Sequence, residues 1–468
     1  MFVLRKTKKV ISVLFCILLV FFSGCQNQNE QIYQGYINDS ENMLRNIDIS
    51  TEKASGSSDE KVIDETPGEL TIYVYFPRWA GFYDWMIAAF NEQYPNVRVS
   101  VKTQMENNTM LSEYSAKLSV DLMSGSAGDI IEVGEMPYIQ YTKNNLLEDL
   151  YPYMESDPEF HPEDYYTNFL EAMEYKDKLY VMPMSFFYKC VRFNKTLLEE
   201  NHIEAPEGDS VNYKEISDIY HKIAPNNNKL VISRFWGQYI LEDIENIRYL
   251  DEEQSRADFN SQEFMDFLNE MKSIRWPSEE ELRLSQFNFA GEDYWDRTDE
   301  NDLCLIVASF YHMERNAKLF YEHPSNLTIP IPLSASNGDK EFTCPDKDLA
   351  ISSSSKNKNL AWKFIRFCIE EKPLEVLKDD NLWPITGMPI NRNNTLKLLK
   401  AAFGEDNEEA VEMVDRWNWE RNSEGFITCR GVLDEAIRGT LREFYEGRLT
   451  AEECARQVQE RAEIYLKE

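Results

Sequence analysis

The sequence predicts an α/β protein of two lobes, each a mainly parallel sheet flanked by helices. Three observations indicate this fold class. The chain has 468 residues, which exceeds the roughly 250 to 300 at which a single hydrophobic core stops growing. Hydrophobic residues make up 43% of the chain and aromatic residues 13%, which is ample for packed cores. Strand patterns alternate with amphipathic helix patterns, as they do where helices cover a parallel sheet.

The first strand–helix–strand unit spans residues 70–101. Residues 70–75 have the sequence Leu-Thr-Ile-Tyr-Val-Tyr, which predicts a short strand, and residues 97–101 alternate valine with polar residues as a second strand. Between them, apolar residues recur at intervals of three and four, which predicts a helix with one buried face: Phe82, Met86, Ala89, Phe90 and Tyr94. Such a unit places the two strands side by side and parallel.

Further elements follow the same pattern. A helix whose apolar residues are Tyr114, Leu118, Leu122 and Met123 precedes an apolar strand at residues 128–134. Two later helices are predicted at residues 264–274 and 361–368. The last helix begins at a capping box, in which Thr450 is followed three residues later by Glu453.

The N-terminus has the pattern of an export signal. Four basic residues between Arg5 and Lys9 precede an apolar run at residues 10–22, and the run ends in Ser-Gly-Cys25. This ending resembles the lipobox of bacterial lipoproteins, which implies removal of residues 1–24 and acylation of Cys25. The apolar run is about 13 residues long, whereas a transmembrane helix needs roughly 20. We therefore expect a protein held by lipid on the outer face of the bacterial cytoplasmic membrane, with residues 25–69 as a flexible, polar tether.

The charge of the chain excludes some partners. Its 82 acidic and 49 basic side chains give a formal net charge of -33 at pH 7. Nucleic acids and anionic lipids would be repelled by this excess, so neither is expected as the main partner. The eight cysteines include no C-x-x-C pair, so no zinc site or dithiol redox centre is expected, and both disulfides and buried free thiols stay open.

An ordered set of short motifs carries a family resemblance. It comprises Ala-Phe-Asn-Glu-Gln-Tyr-Pro-Asn-Val at 89–97, Gly-Asp-Ile-Ile at 128–131, Asn-Leu-Leu-Glu-Asp-Leu at 145–150, Lys-Leu-Tyr-Val-Met-Pro at 178–183, Arg-Phe-Asn-Lys at 192–195, Ala-Ile-Ser at 350–352, Lys-Asn-Lys at 356–358 and Ala-Trp-Lys-Phe-Ile at 361–365. In this order the motifs resemble the family 1 extracellular solute-binding proteins of ABC importers, among them maltodextrin-binding lipoproteins. The resemblance covers nearly the whole chain after the tether.

The resemblance implies a periplasmic-binding-protein-like fold in which two α/β lobes are joined by a hinge and close on a ligand. It places residues 70–183 and 326–374 in the N-terminal lobe, and 184–325 and 375–468 in the C-terminal lobe. The implied partners are an oligosaccharide or other small polar solute and an ABC permease in the membrane; no cofactor is implied, and the chain is expected to be a monomer. Asp177 stands where the family commonly has glycine, Arg192-Phe193 replace two apolar or aromatic residues, and residues 276–301 match no family pattern.

A sugar presents apolar C–H faces and a rim of hydroxyl groups, so its site needs flat aromatic side chains with charged or amide groups at the edge. Most candidates follow predicted strands, where loops of an open sheet bind ligands. The resemblance of the crossing places Phe187 and Tyr188 just after Pro183, at the base of the cleft, and Trp383 precedes Pro384 at the expected rim. Two are charged residues suited to hydroxyl groups: Arg78 and Glu135. The others are aromatic: Trp79, Phe187, Tyr188, Trp236, Tyr239, Tyr311 and Trp383.

Two other function classes stay open at this point. An exported glycosidase or lyase would also have aromatic subsites, with two carboxylates across the bond to be cleaved. The chain has five histidines but no H-E-x-x-H, G-x-S-x-G or Walker motif, and its acidic stretch at 292–302 lacks the spacing and glycine of an EF-hand, so no metal site is expected. The second class is a sensory lipoprotein that presents its ligand to a receptor instead of a permease. We expect a binding protein and not an enzyme.

Overall fold

A computed structural model describes the folded body of the chain. The described residues are 64, 66–74, 80–103, 111–134, 136–206, 210–233, 237–278, 281, 301–309, 328, 331–337, 343–370, 387–404, 407–420 and 431–467. The signal peptide, Cys25, the tether up to residue 63 and most of the unmatched segment at 276–301 lie outside these ranges. Among the described residues, no helix is both long enough and apolar enough to span a bilayer.

The described residues include ten β-strands. In chain order they are β1 Gly68–Val74, β2 Val97–Thr103, β3 Ile130–Glu132, β4 Met182–Phe193, β5 Leu250–Asp251, β6 Arg256–Ala257, β7 Cys304–Ser309, β8 Ile331–Pro332, β9 Thr343–Ile351 and β10 Met388–Pro389.

The described α-helices flank these strands. They are α1 Ala80–Asn91, α2 Leu111–Ser124, α3 Tyr138–Lys143, α4 Tyr151–Ser156, α5 Thr167–Ala172, α6 Lys195–Glu200, α7 Tyr213–Ile223, α8 Gly237–Asn246, α9 Gln262–Ser273, α10 Lys358–Ile369, α11 Arg392–Phe403, α12 Glu408–Glu420, α13 Gly431–Tyr445 and α14 Ala451–Tyr465.

One sheet joins most of the strands, in the order β10-β4-β9-β3-β1-β2, and β7 and β8 both pair with β4 as well. β1 pairs in parallel with β2, as the first strand–helix–strand unit predicts, and β1 also pairs in parallel with β3. The remaining pairs within this sheet are antiparallel, because β4 and β9 run opposite to the strands they pair with. The expectation of mainly parallel pairing therefore holds among the described strands only for β1, β2 and β3. β5 and β6 form a separate two-stranded hairpin.

β4 connects the two halves of the protein. Its residues from Met182 to Tyr188 pair with β9, and its residues from Tyr188 to Phe193 pair with β7. Tyr188 thus lies opposite both Thr343 and Ser309 and marks the middle of the crossing.

Two hydrophobic cores lie on either side of this crossing. The first contains residues of β1, α1, α2, β3 and the first half of β4, and the second contains residues of the second half of β4 with α7, α9, α13 and α14. The first core also includes Met388, Ile390, Leu399, Val411 and Val414, and the second includes Ile331 and Leu333. This distribution favours assigning residues 388–414 to the first lobe and residues near 331–335 to the second; the sequence-based lobe boundaries stay a prediction.

Local sequence signals explain individual elements. Thr450 and Glu453 form the capping box that begins α14: the Thr450 hydroxyl accepts from the Glu453 amide at 3.2 Å, and the Glu453 carboxylate accepts from the Thr450 amide at 2.9 Å. Gly128 precedes β3 with φ +94°, and a Cβ there would lie 2.9 Å from the Thr71 carbonyl oxygen of β1. A side chain at residue 128 would therefore disturb the β1–β3 pairing.

A buried arginine ties α10 to the segment after α4. The side chain of Arg366 is 6% exposed, and its Nε lies 2.9 Å from a carboxylate oxygen of Asp157. Its two Nη atoms bond Glu159 and Glu370. The indole of Trp362 donates to the same Asp157 carboxylate at 2.8 Å. One guanidinium thus contacts three carboxylates within the first lobe.

Candidate functional site

The middle of β4 carries aromatic and charged side chains where the two halves meet. Phe187 is half-buried and Tyr188 is 1% exposed. The Tyr188 hydroxyl donates to the Asn418 side-chain oxygen of α12 at 2.8 Å. Lys189 is half-buried and follows directly. Because successive residues of a strand alternate between the faces of a sheet, Phe187 and Lys189 lie on one face and Tyr188 on the other.

The C-terminal end of α12 presents an exposed tryptophan. Trp419 is 36% exposed, and its ring centroid lies 5.4 Å from that of Tyr166. The guanidinium of Arg392 lies 5.7 Å from the Trp419 ring and makes two bonds to the Asp415 carboxylate, at 3.0 and 2.7 Å. Asp415 also accepts from the Tyr166 hydroxyl at 2.8 Å. These contacts hold the indole while part of it stays accessible.

A cluster of charges lies beside the crossing on the second lobe. Nζ of Lys189 is 3.8 Å from the Asp243 carboxylate of α8. Burial raises the pKa of Asp243, and the nearby positive charges of Lys189 and Arg438 oppose this increase. The Arg438 guanidinium, from α13, lies 5.6 Å from the ring centroid of Tyr239. Lysine, arginine and carboxylate groups of this kind can bond the hydroxyl groups of a polar solute.

Glu242 lies next to this cluster, inside the second lobe. Glu242 is 3% exposed, and one of its carboxylate oxygens accepts a hydrogen bond from the Gln238 side chain at 2.9 Å. Burial raises the pKa of Glu242 to about 7, whereas hydrogen bonding and the charge of Arg438 act to lower it. Asp243 raises it further. A carboxyl group that changes charge near neutral pH therefore lies within the second lobe.

The structure describes three of the nine candidate binding residues. Phe187 and Tyr188 lie at the crossing, and Tyr239 lies in the first turn of α8, under Arg438. Tyr188 has its ring in the first core, so its contribution in this arrangement is packing and the bond to Asn418. The other candidates lie outside the described residues: Arg78, Trp79, Glu135, Trp236, Tyr311 and Trp383. No described contact tests their role, which stays a prediction.

Sequence reasoning missed four residues that the structure places near the crossing: Lys189, Asp243, Trp419 and Arg438. The charged residues gave no pattern that distinguishes them from other surface charges. Trp419 gave no clear signal either, because Trp417-Asn418-Trp419 ends an amphipathic helix pattern and single exposed apolar residues are common on protein surfaces.

Two cavities occur elsewhere in the described part. One, of about 500 Å³, opens at the amino end of β1 and is lined in part by Asp64, Tyr94 and Lys363. The other, of about 310 Å³, lies between α4 and α5. Ligands of open α/β sheets bind beyond the carboxyl ends of the strands, so the first cavity is at the wrong edge for the main site. Within the described ranges, no three His, Cys, Asp or Glu side chains are grouped to hold a metal ion.

Comparisons with known proteins identify the fold. The family model described as bacterial extracellular solute-binding protein matches residues 85–387. No curated protein sequence matches the chain significantly. Solved structures do: an ABC substrate-binding protein from Listeria monocytogenes in complex with cycloalternan aligns at a TM-score of 0.56 with 19% identity, covering 86% of this chain and 100% of that one.

Two further solved structures are similar. An ABC transporter solute-binding protein from Agrobacterium vitis with bound D-mannitol aligns at a TM-score of 0.54 with 16% identity, covering 86% of this chain and 98% of that one. A de novo designed cysteine esterase aligns at 0.59 with 14% identity, covering 86% and 99%. At these identities the likeness shows the fold alone, and that fold is two α/β lobes joined by crossing strands.

Proposed function

This chain belongs to the bacterial extracellular solute-binding proteins, since their family model matches most of its length, and on that premise we propose that it captures an oligosaccharide or a related polyol. The solute binds in the cleft between the lobes and is delivered intact to an ABC permease. Acylated Cys25 holds the protein at the outer face of the membrane, and the tether gives the body freedom to reach the permease.

The observation that carries this proposal is the combination of side chains at the crossing. A half-buried Phe187 provides an apolar surface for the C–H face of a sugar, and Lys189, Asp243 and Arg438 provide hydrogen-bonding groups. The partly exposed Trp419, which packs beside Tyr166 on the Tyr188 side of β4, provides a separate apolar surface. We propose that the loop residues Trp79, Trp236, Tyr311 and Trp383 add stacking surfaces, and that Arg78 and Glu135 bond hydroxyl groups. The ligands named for the aligned Listeria and Agrobacterium proteins, cycloalternan and D-mannitol, are chemically of this kind.

The rival class is an enzyme, and a cysteine esterase is the form that one aligned structure suggests. Burial raises the pKa of the Cys304 and Cys368 thiols well above the usual value and that of Cys454 to about 12. Since the thiolate is the nucleophile, these three thiols are poorly suited to attack a substrate at neutral pH. This argument favours a receptor over an esterase whose nucleophile is any of these three thiols.

Isothermal titration with a panel of solutes tests the proposed function. Cycloalternan, a maltodextrin and D-mannitol represent a cyclic oligosaccharide, a linear oligosaccharide and a polyol, and a short peptide serves as the comparison. We expect at least one carbohydrate or polyol to bind and to be recovered unchanged. Binding of the peptide alone would refute the solute class, and release of smaller sugars during the incubation would identify an enzyme.

Trp419→Ala tests the site with the best solute from that panel. We expect the Kd to rise about tenfold to a hundredfold, because stacking aromatics are typical binding hot spots. Trp276→Ala is the matched control: this partly buried indole packs against the second core and donates to the Met271 carbonyl oxygen of α9, and the Kd should stay within twofold of the original. If Trp419→Ala and Trp276→Ala bind the solute equally well, the site lies elsewhere. Alanine variants of Trp79, Trp236 and Tyr311 are then tested in the same way.

A further inference from the structure

Glu435 of α13 contacts the first turn of α2 across the two lobes. The backbone amide of Ser112 donates to the Glu435 carboxylate at 2.9 Å. α2 packs into the first core through Tyr114 and Leu118, whereas α13 packs into the second. The bond therefore joins the two lobes directly, outside the crossing strands.

Topology places this contact on the cleft side of the sheet. β2 runs parallel to β1 and ends at Thr103, and α2 is the next described element, so its first turn lies towards the carboxyl edge. Ligands of such sheets bind beyond that edge. A carboxylate at the start of a helix is also favoured electrostatically, because the first amides lack intrahelical partners and carry partial positive charge.

A second polar contact joins the lobes at a different place. Lys143, the last residue of α3, donates through its Nζ to the Glu252 carbonyl oxygen and to the Ser255 hydroxyl. Both acceptors lie in the turn between β5 and β6, and Leu250 of this hairpin belongs to the second core. The Glu252 carboxylate accepts from the Tyr465 hydroxyl at 2.7 Å, which fixes the turn to α14.

α13 also connects the first contact to the candidate binding site. Arg438 lies one turn after Glu435 on the same helix and is positioned over Tyr239. Its charge acts on Asp243, whose carboxylate pairs with Lys189 of β4. A solute that engages this cluster would therefore act on the same helix whose Glu435 contacts the other lobe.

We propose that the two lobes of this structure are in a closed arrangement, and that the Ser112–Glu435 and Lys143–Glu252/Ser255 contacts form a latch that holds it. The residues of the latch raise solute affinity without touching the solute, because a receptor binds more tightly when more of it already occupies the binding-competent form. The influence on affinity rests on the proposed function, whereas the latch itself can be tested without any solute.

Small-angle X-ray scattering of the solute-free protein tests the latch. The variants are Glu435→Gln, Lys143→Met and the two combined, with Glu443→Gln, two turns further along α13, as the matched control. We expect the radius of gyration of the double variant to increase by about 1 Å as the hinge opens, against about 21–22 Å for a compact body of this size. The tether contributes equally to all variants, and circular dichroism verifies that each is folded.

An unchanged radius of gyration in the folded double variant overturns the latch. An equal increase in the radius of gyration of the Glu443→Gln control also overturns the latch. It would show that removing any negative charge from α13 has the same effect. If the double variant does not fold, the two single variants provide the test. We expect the radius of gyration of each to increase as well. High salt should increase the radius of gyration of the original protein, because the exposed Glu435 carboxylate interacts with the partial positive charge at the start of α2, and salt screens this interaction.

Titration with the best carbohydrate or polyol of the panel separates the two proposals. We expect the double variant to bind about two- to tenfold more weakly than the original protein. Adding Trp419→Ala to the double variant should raise the Kd by the same factor as it does in the original protein. Unchanged affinity together with an opened form would leave the latch standing as a structural device and refute its effect on binding. Failure of every solute to bind would refute the proposed function, while the scattering result would still decide the latch.

Discussion

Arg366→Met is expected to lower the free energy of unfolding by about 3–5 kcal/mol. The guanidinium is nearly inaccessible and faces Asp157, Glu159 and Glu370. Methionine fills a similar volume but leaves these carboxylates close together without a positive charge, two of them largely buried. Breaking a buried ionic network by removing one partner is one of the few single changes with an effect of this size.

Urea unfolding followed by circular dichroism measures this loss. Arg456→Met is the matched control, because Arg456 and Glu460 have the same i,i+4 spacing as Arg366 and Glu370 but are 56% and 60% exposed. We expect the control to change the free energy by less than about 0.5 kcal/mol. Similar losses for both variants would mean that burial does not determine the strength of the Arg366 network.

Glu242→Gln is expected to remove a pH dependence of stability. Burial raises the pKa of Glu242 to about 7 in the folded protein, from 4.5 in the unfolded chain. Between these two values the folded state holds a proton that the unfolded state has lost, so this group stabilises the protein as the pH falls through 7 towards 4.5. Above pH 7 the buried charge is destabilising. The contribution between pH 8 and pH 5 is about 1–3 kcal/mol.

The measurement is the difference between the original protein and the variant in urea unfolding at pH 5, 6.5 and 8. We expect glutamine, which keeps an oxygen for the Gln238 bond, to stabilise the protein at pH 8 and to have little effect at pH 5. Glu460→Gln, an exposed residue, controls for the general effect of reducing a net charge of -33. A constant difference across the three pH values would show that Glu242 is already ionised at pH 5 when folded.

Local elements near the N-terminus of the folded body could be predicted well from the sequence. The predicted strands at 70–75 and 97–101 correspond to β1 Gly68–Val74 and β2 Val97–Thr103, and their parallel pairing follows from the helix between them. The capping box of α14 could also be predicted, because its two residues, Thr450 and Glu453, are only three positions apart in the sequence. These features depend on interactions over a few residues, or on one short crossover.

The distribution of later segments between the lobes could not be predicted in the same way. α11 and α12 contribute to the first core, although α13, which follows them, belongs to the second. Amphipathic periodicity shows which face of a helix is buried but not against which of two cores it packs. The contact between Ser112 and Glu435 spans 323 residues of sequence, and neither residue forms part of a motif.

The sequence predicted which types of side chain form the candidate site, but only some of the residues that the structure places there. The resemblance to the family's crossing selected Phe187 and Tyr188, which lie within β4 at the crossing, but it could not separate a half-buried ring from one within the core. Trp419 became a candidate because Asp415 and Arg392 hold it beside Tyr166, contacts that join three segments distant in sequence. Such juxtapositions follow from the packing of whole helices, which local patterns do not determine.

The continuity of β4 limits how this receptor can be engineered. Its twelve residues give backbone bonds first to β9 and then to β7, so no cut within it would leave either half with a complete ladder. Exchanging one lobe for that of a relative would require joining three or more chain segments at once. Changing the recognised solute by substitutions around an intact β4 is therefore the more practical route to a biosensor.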